Sequence, residues 1–166
     1  MSPRVVLVGP PGAGKTTVGV LLAERLGVVF RDTDADIERT AGKPIGDIFL
    51  DDGEPAFRAL ERSAVAEAMT GHDGVLAVGG GAVIDTGTRD RLSALTVVFL
   101  DVGLADAAAR IGLNRDRPLL IGNQRGQLKR LLDERRPLYE AVATATVDTA
   151  GRKPAEVVDE VLAHVR

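Results

Sequence analysis

Apolar and polar positions along this chain alternate between two rhythms. Short, near-continuous apolar runs at about Arg4–Val8, Val28–Asp32, Val75–Val78, Thr96–Asp101 and Thr144–Val147 predict strands. Between them, apolar residues recur at spacings of three and four. Lys15–Leu26 carries Val18, Leu21, Leu22 and Leu26 on one face and meets Gly27, a good helix stop. Pro55–Met69 repeats the pattern with Phe57, Leu60, Ala64, Val65 and Ala68. Leu104–Ile111 is alanine-rich, and Pro154–Val165 opens with proline just inside its first turn. Such alternation of strand and helix predicts a parallel sheet covered on both faces. Ligands of these sheets sit at the C-terminal ends of the strands, so the residues that follow each strand are the ones to read for chemistry.

Composition narrows the class. The 166 residues suit a single domain, and 45% apolar with 27% charged residues is ordinary globular usage, which excludes disorder as the main state. Twenty-one basic against 24 acidic residues leave a formal charge of −3, so bulk charge does not point to nucleic acid. With no cysteine, disulfides and thiolate sites are excluded, and His72 and His164 lie too far apart in sequence to suggest a ligand cluster. No apolar run approaches the ~18 residues of a membrane span, and no secretory signal follows Arg4. The expectation is a soluble, cytoplasmic monomer with no membrane or nucleic-acid partner.

One stretch breaks the rhythm. Asn114–Arg136 holds seven basic and three acidic residues, and its first part has Pro118, Gly122 and Gly126 and no clear period. It reads either as a solvated loop or as a mobile cover that brings cations over an anionic ligand.

Gly9–Thr16, GPPGAGKT, fits G-x-x-x-x-G-K-[ST] at every fixed position, after a strand and at the start of a helix. Its glycines let backbone N–H groups turn toward phosphate oxygens, and the helix adds the positive end of its dipole. Lys15 can reach the β- and γ-phosphates, and the Thr16 hydroxyl can ligate Mg²⁺. A nucleoside triphosphate follows. The chain lacks the Asn-Lys-x-Asp signature of a GTPase and is small for a mechanical ATPase, which leaves mostly a small kinase.

Asp32-Thr33-Asp34 ends the second strand; one carboxylate can face Mg²⁺ and the other an acceptor hydroxyl, while Asp34 also suits a helix N-cap. Arg58 and Glu61 stand at i,i+3, either as a surface ion pair or as an arginine held in orientation for a ligand carboxylate. Gly79-Gly80-Gly81 suggests close approach of a ligand to bare backbone N–H groups. Arg135 and Arg136 precede Pro137-Leu138-Tyr139; they either answer a helix dipole, or at least one completes a carboxylate clamp with Arg58. With only five aromatic residues in the chain, a small hydroxylated acid fits the acceptor site better than a nucleobase.

These motifs, together with Phe57–Glu61, Val75–Val83 and Arg117-Pro118-Leu119-Leu120, resemble in order those of the shikimate kinase family nearly end to end. The resemblance implies a P-loop three-layer αβα sandwich with a five-stranded parallel sheet of order 2-3-1-4-5. It implies one kinase domain over 1–166, with a mobile lid at about 112–124 and acceptor-binding helices at about 33–61. The implied reaction is Mg²⁺-dependent transfer of the ATP γ-phosphoryl to the 3-hydroxyl of shikimate, on the way to chorismate and the aromatic amino acids. Gly12, Ala13, Gly14, Lys15, Thr16, Thr17 and Arg117 then bind phosphates, with Lys15, Asp34 and Arg117 catalytic. Shikimate falls to Asp34, Arg58, Gly79, Gly80, Gly81 and Arg135, with Arg136 in the family's variable position and Glu61 in support. Thr16 and Asp32 face the metal, and Arg110, Arg152 and Pro154 flank adenine. The alternatives are another small-metabolite or nucleoside monophosphate kinase and, more distantly, a binding module switched by ATP.

Overall fold

The computed structural model describes residues 1–111 and 124–165. Five strands, β1 (Val5–Val8), β2 (Phe30–Asp32), β3 (Val75–Ala77), β4 (Val97–Asp101) and β5 (Ala145–Asp148), form one parallel sheet of order β2-β3-β1-β4-β5. Eight helices are assigned among the described residues: α1 (Lys15–Leu26), α2 (Thr33–Ala41), α3 (Ile45–Asp52), α4 (Glu54–Gly71), α5 (Thr86–Leu92), α6 (Leu104–Ile111), α7 (Gln124–Val142) and α8 (Pro154–Leu162).

The sheet follows from its central strand. All of β1 is buried, and its side chains alternate between faces as the pleat requires. Val5 and Leu7 join Leu22 of α1 and Val157, Val158 and Val161 of α8 in one core. Val6 and Val8 join Val65 and Met69 of α4 and Tyr139 and Val142 of α7 in the other. A smaller core of Ile37, Ile48 and Phe57 ties together α2, α3 and α4 at the acceptor side. The chain leaves β1 for α1 at the point where the sheet order reverses, since β1 lies between β3 and β4.

Several predicted bounds shift. The strand expected over Val28–Asp32 begins at Phe30, Val75–Val78 ends at Ala77, and Thr144–Val147 becomes Ala145–Asp148. The last helix stops at Leu162, before Val165. The larger difference is α7. From Gln124 onward the basic stretch, for which no helix was expected, is part of a helix of 19 residues. Its buried positions, Leu128, Leu132, Tyr139 and Val142, form a sparse stripe masked by charged neighbours, and it carries Pro137 inside it. The expected lid falls outside the described residues from 112 to 123, and Arg117 with it.

Candidate active site

The phosphate loop bends where glycine permits. Gly12 and Gly14 take φ of 82° and 88°, left-handed values that side chains rarely adopt, and Gly14 caps the N-terminus of α1. Lys15 Nζ donates to Gly9 O at 2.7 Å and to Pro10 O at 3.1 Å, so the lysine rests on its own loop. Burial lowers its pKa to about 8, opposed by Asp34 and Asp32 and assisted by Arg135. The Thr16 hydroxyl donates to Asp32 Oδ2 at 3.3 Å. A cavity of about 430 Å³ opens here, bounded by Gly12, Gly14, Lys15, Thr16, Thr17, Asp32, Asp34, Val78 and Arg110.

The Asp32-Thr33-Asp34 motif divides its labour. Asp32 is the N-cap of α2, its Oδ1 accepting from Asp34 N at 2.9 Å. The capping role considered for Asp34 therefore belongs to Asp32, and Asp34, in the first turn, keeps its carboxylate for the site. Burial raises the Asp34 pKa to about 6; Asp32 adds to the rise, Lys15 opposes it, and Glu61 and Glu38 contribute less. Between the two aspartates, buried Thr33 accepts from Gly79 N at 3.3 Å.

That last bond engages the N–H of Gly79, the first of the three glycines. The glycines also provide space. A Cβ on Gly79 would stand 2.6 Å from Asp34 Oδ1 and 3.0 Å from Glu61 Oε2, and a Cβ on Gly81 would stand 2.3 Å from Arg58 Nη1. Two site carboxylates and the Arg58 guanidinium lie directly against bare Cα atoms. Gly80 faces the phosphate loop, where a Cβ would meet Pro11 Cδ at 3.1 Å.

Arg58 and Glu61 do pair, but in the interior. Arg58 Nη1 donates to Glu61 Oε1 at 2.7 Å, and Glu61 is 4% exposed, which removes the surface reading. The guanidinium stands 5.2 Å above the Phe57 ring, itself packed on Phe49. Arg58 Nε lies 3.5 Å from Glu54 Oε1, close enough for charge attraction yet without hydrogen-bond alignment, so this buried donor has no partner.

The doubled arginine is separated by α7. Arg136 forms a two-toothed pair with Asp101 at the end of β4, at 2.6 and 2.8 Å, and lies over Phe99. Arg135 lies near enough to the site for its charge to act on both Lys15 and Tyr139. On the other side of the loop, Arg110 donates to Gly12 O, Thr149 Oγ1 and Thr149 O at 2.9–3.1 Å. Arg110, Arg152 and Pro154 converge with Ala13, Gly14, Thr17, Val18, Thr149 and Val157 on a second cavity of about 180 Å³.

The structure thus brings together every expected site residue except Arg117, which lies outside the described residues. Sequence reasoning missed Thr33, Thr149, the Asp101–Arg136 pair and Tyr139. Only Tyr139 left a signal: it stands four residues after Arg135, on the same helix face.

No group of three or more Asp, Glu, His or Cys suited to a metal occurs among the described residues. The Thr16 and Asp32 oxygens nevertheless converge beside the phosphate loop, and hard oxygen donors in small number suit Mg²⁺ that keeps waters and phosphate oxygens as its other ligands.

Comparison with known proteins agrees with this geometry. A family model described as shikimate kinase matches residues 11–166. The shikimate kinase of Salinispora arenicola is 61% identical over 98% of both chains, and that of Rhodococcus jostii is 45% identical over 99% of both. Among solved structures, a shikimate kinase from Acinetobacter baumannii in complex with shikimate superposes with a TM-score of 0.90 at 38% identity, covering 98% of this chain and 91% of that one. A gluconokinase from Sinorhizobium meliloti, at 22% identity and a TM-score of 0.58, shares the fold alone. By sequence along its length and by structure, the chain belongs to the shikimate kinase family.

Proposed function

We propose that the protein transfers the γ-phosphoryl group of ATP to the 3-hydroxyl of shikimate, with Asp34 receiving the hydroxyl proton. The observation that carries the assignment of roles is the convergence of Asp34, Lys15 and the Arg58–Glu61 pair around the Gly79–Gly81 floor. The hydroxyl oxygen bonds to the γ-phosphorus as the bond from that phosphorus to the β,γ-bridging oxygen breaks, ADP leaves, and the hydroxyl proton passes to Asp34. A carboxylate with its pKa raised toward neutrality is a better acceptor for that proton than an ordinary aspartate. Lys15 leaves its loop carbonyls for the phosphate, which returns the charge that burial disfavours. Arg58, held by Glu61, and Arg135 take the acceptor carboxylate as planar, charge-assisted donors. Arg110, Arg152 and Pro154 flank the adenine. Thr16 and Asp32 hold Mg²⁺, which when bound neutralises phosphate charge; Arg117 adds a cation to the phosphates. Most of the rate comes from positioning and fixed charge, as is usual for phosphoryl transfer.

The test is a coupled assay for ADP with shikimate, gluconate, AMP or CMP as acceptor. Release that depends on shikimate and falls at least a hundredfold in Asp34→Asn, with ATP affinity retained, supports the assignment. Stimulation by gluconate or a nucleoside monophosphate and not by shikimate overturns the substrate; unchanged turnover in Asp34→Asn removes that residue from the chemistry.

A further inference from the structure

The pairing of β2 with β3 runs out beside the site. Asp32 of β2 pairs with Ala77 of β3, the last step of their parallel register. Near the start of the ladder, Val75 N donates to Val29 O. Bonds of one direction in a parallel ladder recur every two residues, so the same row leads to Gly79 N and the carbonyl of Thr33. Thr33 is the first residue of α2, and its carbonyl turns into the helix. Its side chain takes the place of that carbonyl: Thr33 Oγ1 accepts from Gly79 N at 3.3 Å, and Thr33 is wholly buried. The rest of the glycine floor is held from elsewhere, Gly79 O by Ala82 N at 3.0 Å and Gly80 O by the Tyr139 hydroxyl at 2.6 Å. The bond from Gly79 N to Thr33 ties the floor to α2.

Asp34 stands one residue further along. Among the described residues no donor bonds to its carboxylate; its N–H is held by Asp32 Oδ1 at 2.9 Å, and its Oδ1 lies against the bare Cα of Gly79. The start of the helix and the floor therefore fix the carboxylate between them. We infer that Thr33 is a positioning residue for Asp34: its hydroxyl carries the ladder one step past the strands and sets the gap between the first turn of α2 and Gly79, against which the Asp34 carboxylate rests. A neutral acceptor is what this place requires. An aliphatic side chain would leave the Gly79 N–H buried without a partner, and a carboxylate would add a third negative charge beside Asp32 and Asp34. The inference deepens the proposed function and rests on the assignment of Asp34 to the acceptor hydroxyl.

The test is a mutant cycle read by ADP release. Thr33→Val keeps the shape of the side chain and removes the acceptor; it is expected to lower kcat about tenfold while the ATP KM stays within about twofold. Thr33→Ser keeps the acceptor and is expected to hold kcat within about threefold of wild type. In an Asp34→Asn background, Thr33→Val is expected to lower the remaining kcat by less than about twofold, because the group it positions is gone. A merely structural role would lower the rate by the same factor in both backgrounds. Such an equal loss, or a Thr33→Val kcat within about twofold of wild type, overturns the inference and makes Thr33 a core residue only. If Thr33→Val does not fold, Thr33→Ala is taken through the same cycle; if neither folds, the hydroxyl serves the fold and the inference is overturned. Failure of the functional assignment itself shows separately, as wild-type protein without shikimate-dependent ADP release or as unchanged turnover in Asp34→Asn alone.

Discussion

Gly79→Ala isolates what the glycine floor does. The added Cβ would stand 2.6 Å from Asp34 Oδ1, about 0.8 Å short of ordinary van der Waals contact, and 3.0 Å from Glu61 Oε2. Neither backbone can retreat easily. Gly79 follows β3, which is paired on both sides, and its N–H is tied to Thr33 Oγ1 beside Asp34. The Asp34 side chain must therefore yield, turning away from the place that its proposed role toward the acceptor hydroxyl requires. A displacement near 1 Å at a reacting group costs about 100-fold in rate, so kcat is expected to fall by about 30- to 100-fold. The ATP KM should stay within about twofold, since Lys15 and the loop are untouched. Steady-state ADP release with each substrate varied in turn measures both. Gly46→Ala, where a Cβ on α3 meets nothing within 4 Å, is the matched control and should keep wild-type kinetics. Gly79→Ala that folds and turns over within threefold of wild type would refute the claim that close packing sets the position of Asp34.

Asp34→Asn should also change stability. Moving a carboxyl pKa from 3.8 to about 6 on folding disfavours the ionised form by about 3 kcal/mol at neutral pH. Because the folded-state value is the higher one, the protonated carboxyl favours the fold below pH 4, and that contribution is lost as pH rises through about 6. Thermal melts should therefore show Asp34→Asn more stable than wild type at pH 7, with the gap closing toward pH 4; equal midpoints at pH 7 would sink the electrostatic reading. In the wild type, kcat/KM for shikimate should rise with pH through about 6 as Asp34 ionises and fall through about 8 as Lys15 loses its proton, as a rate profile will show. Arg135→Ala should raise the shikimate KM at least tenfold, whereas Arg136→Ala, which loses the half-exposed Asp101 pair, should cost about 1 kcal/mol of stability and leave KM near wild type. The reverse pattern in the same assay would move the acceptor role one residue along.

Much of this was legible before any coordinates. The phosphate loop, the strand order implied by the resemblance, and the residues that converge on the site are carried by local pattern, because turns and helix starts demand particular residues at fixed spacing. What stayed hidden depends on side chains meeting across the fold. The period of α7 is obscured because its apolar positions are few and a proline interrupts it. Asp32 and Asp34 are equally good caps in sequence; only the start of α2 at Thr33 decides between them. The triple glycine reads as a backbone feature on the page, yet Asp34, Glu61 and Arg58 arrive at it from α2 and α4, distances in sequence that no local pattern spans.

The electrostatics of the site make sense only with both substrates in view. Burial pushes Asp34 and Lys15 toward their neutral forms, and each partly restores the charge of the other. Like charges worsen both positions: Asp32 and Glu61 act against the Asp34 carboxylate, and Arg135 acts against the Lys15 ammonium. An alcohol offers Asp34 a hydrogen bond without adding a negative charge, and a polyphosphate gives Lys15 the anion that its loop carbonyls only imitate. In the proposed assignment, a carboxylate on the acceptor meets Arg58 and Arg135, which brings its negative charge to the arginines and keeps it from Asp34. The same burial that disfavours both charges thus suits one group to take a proton and the other to hold an anion, as the proposed function requires.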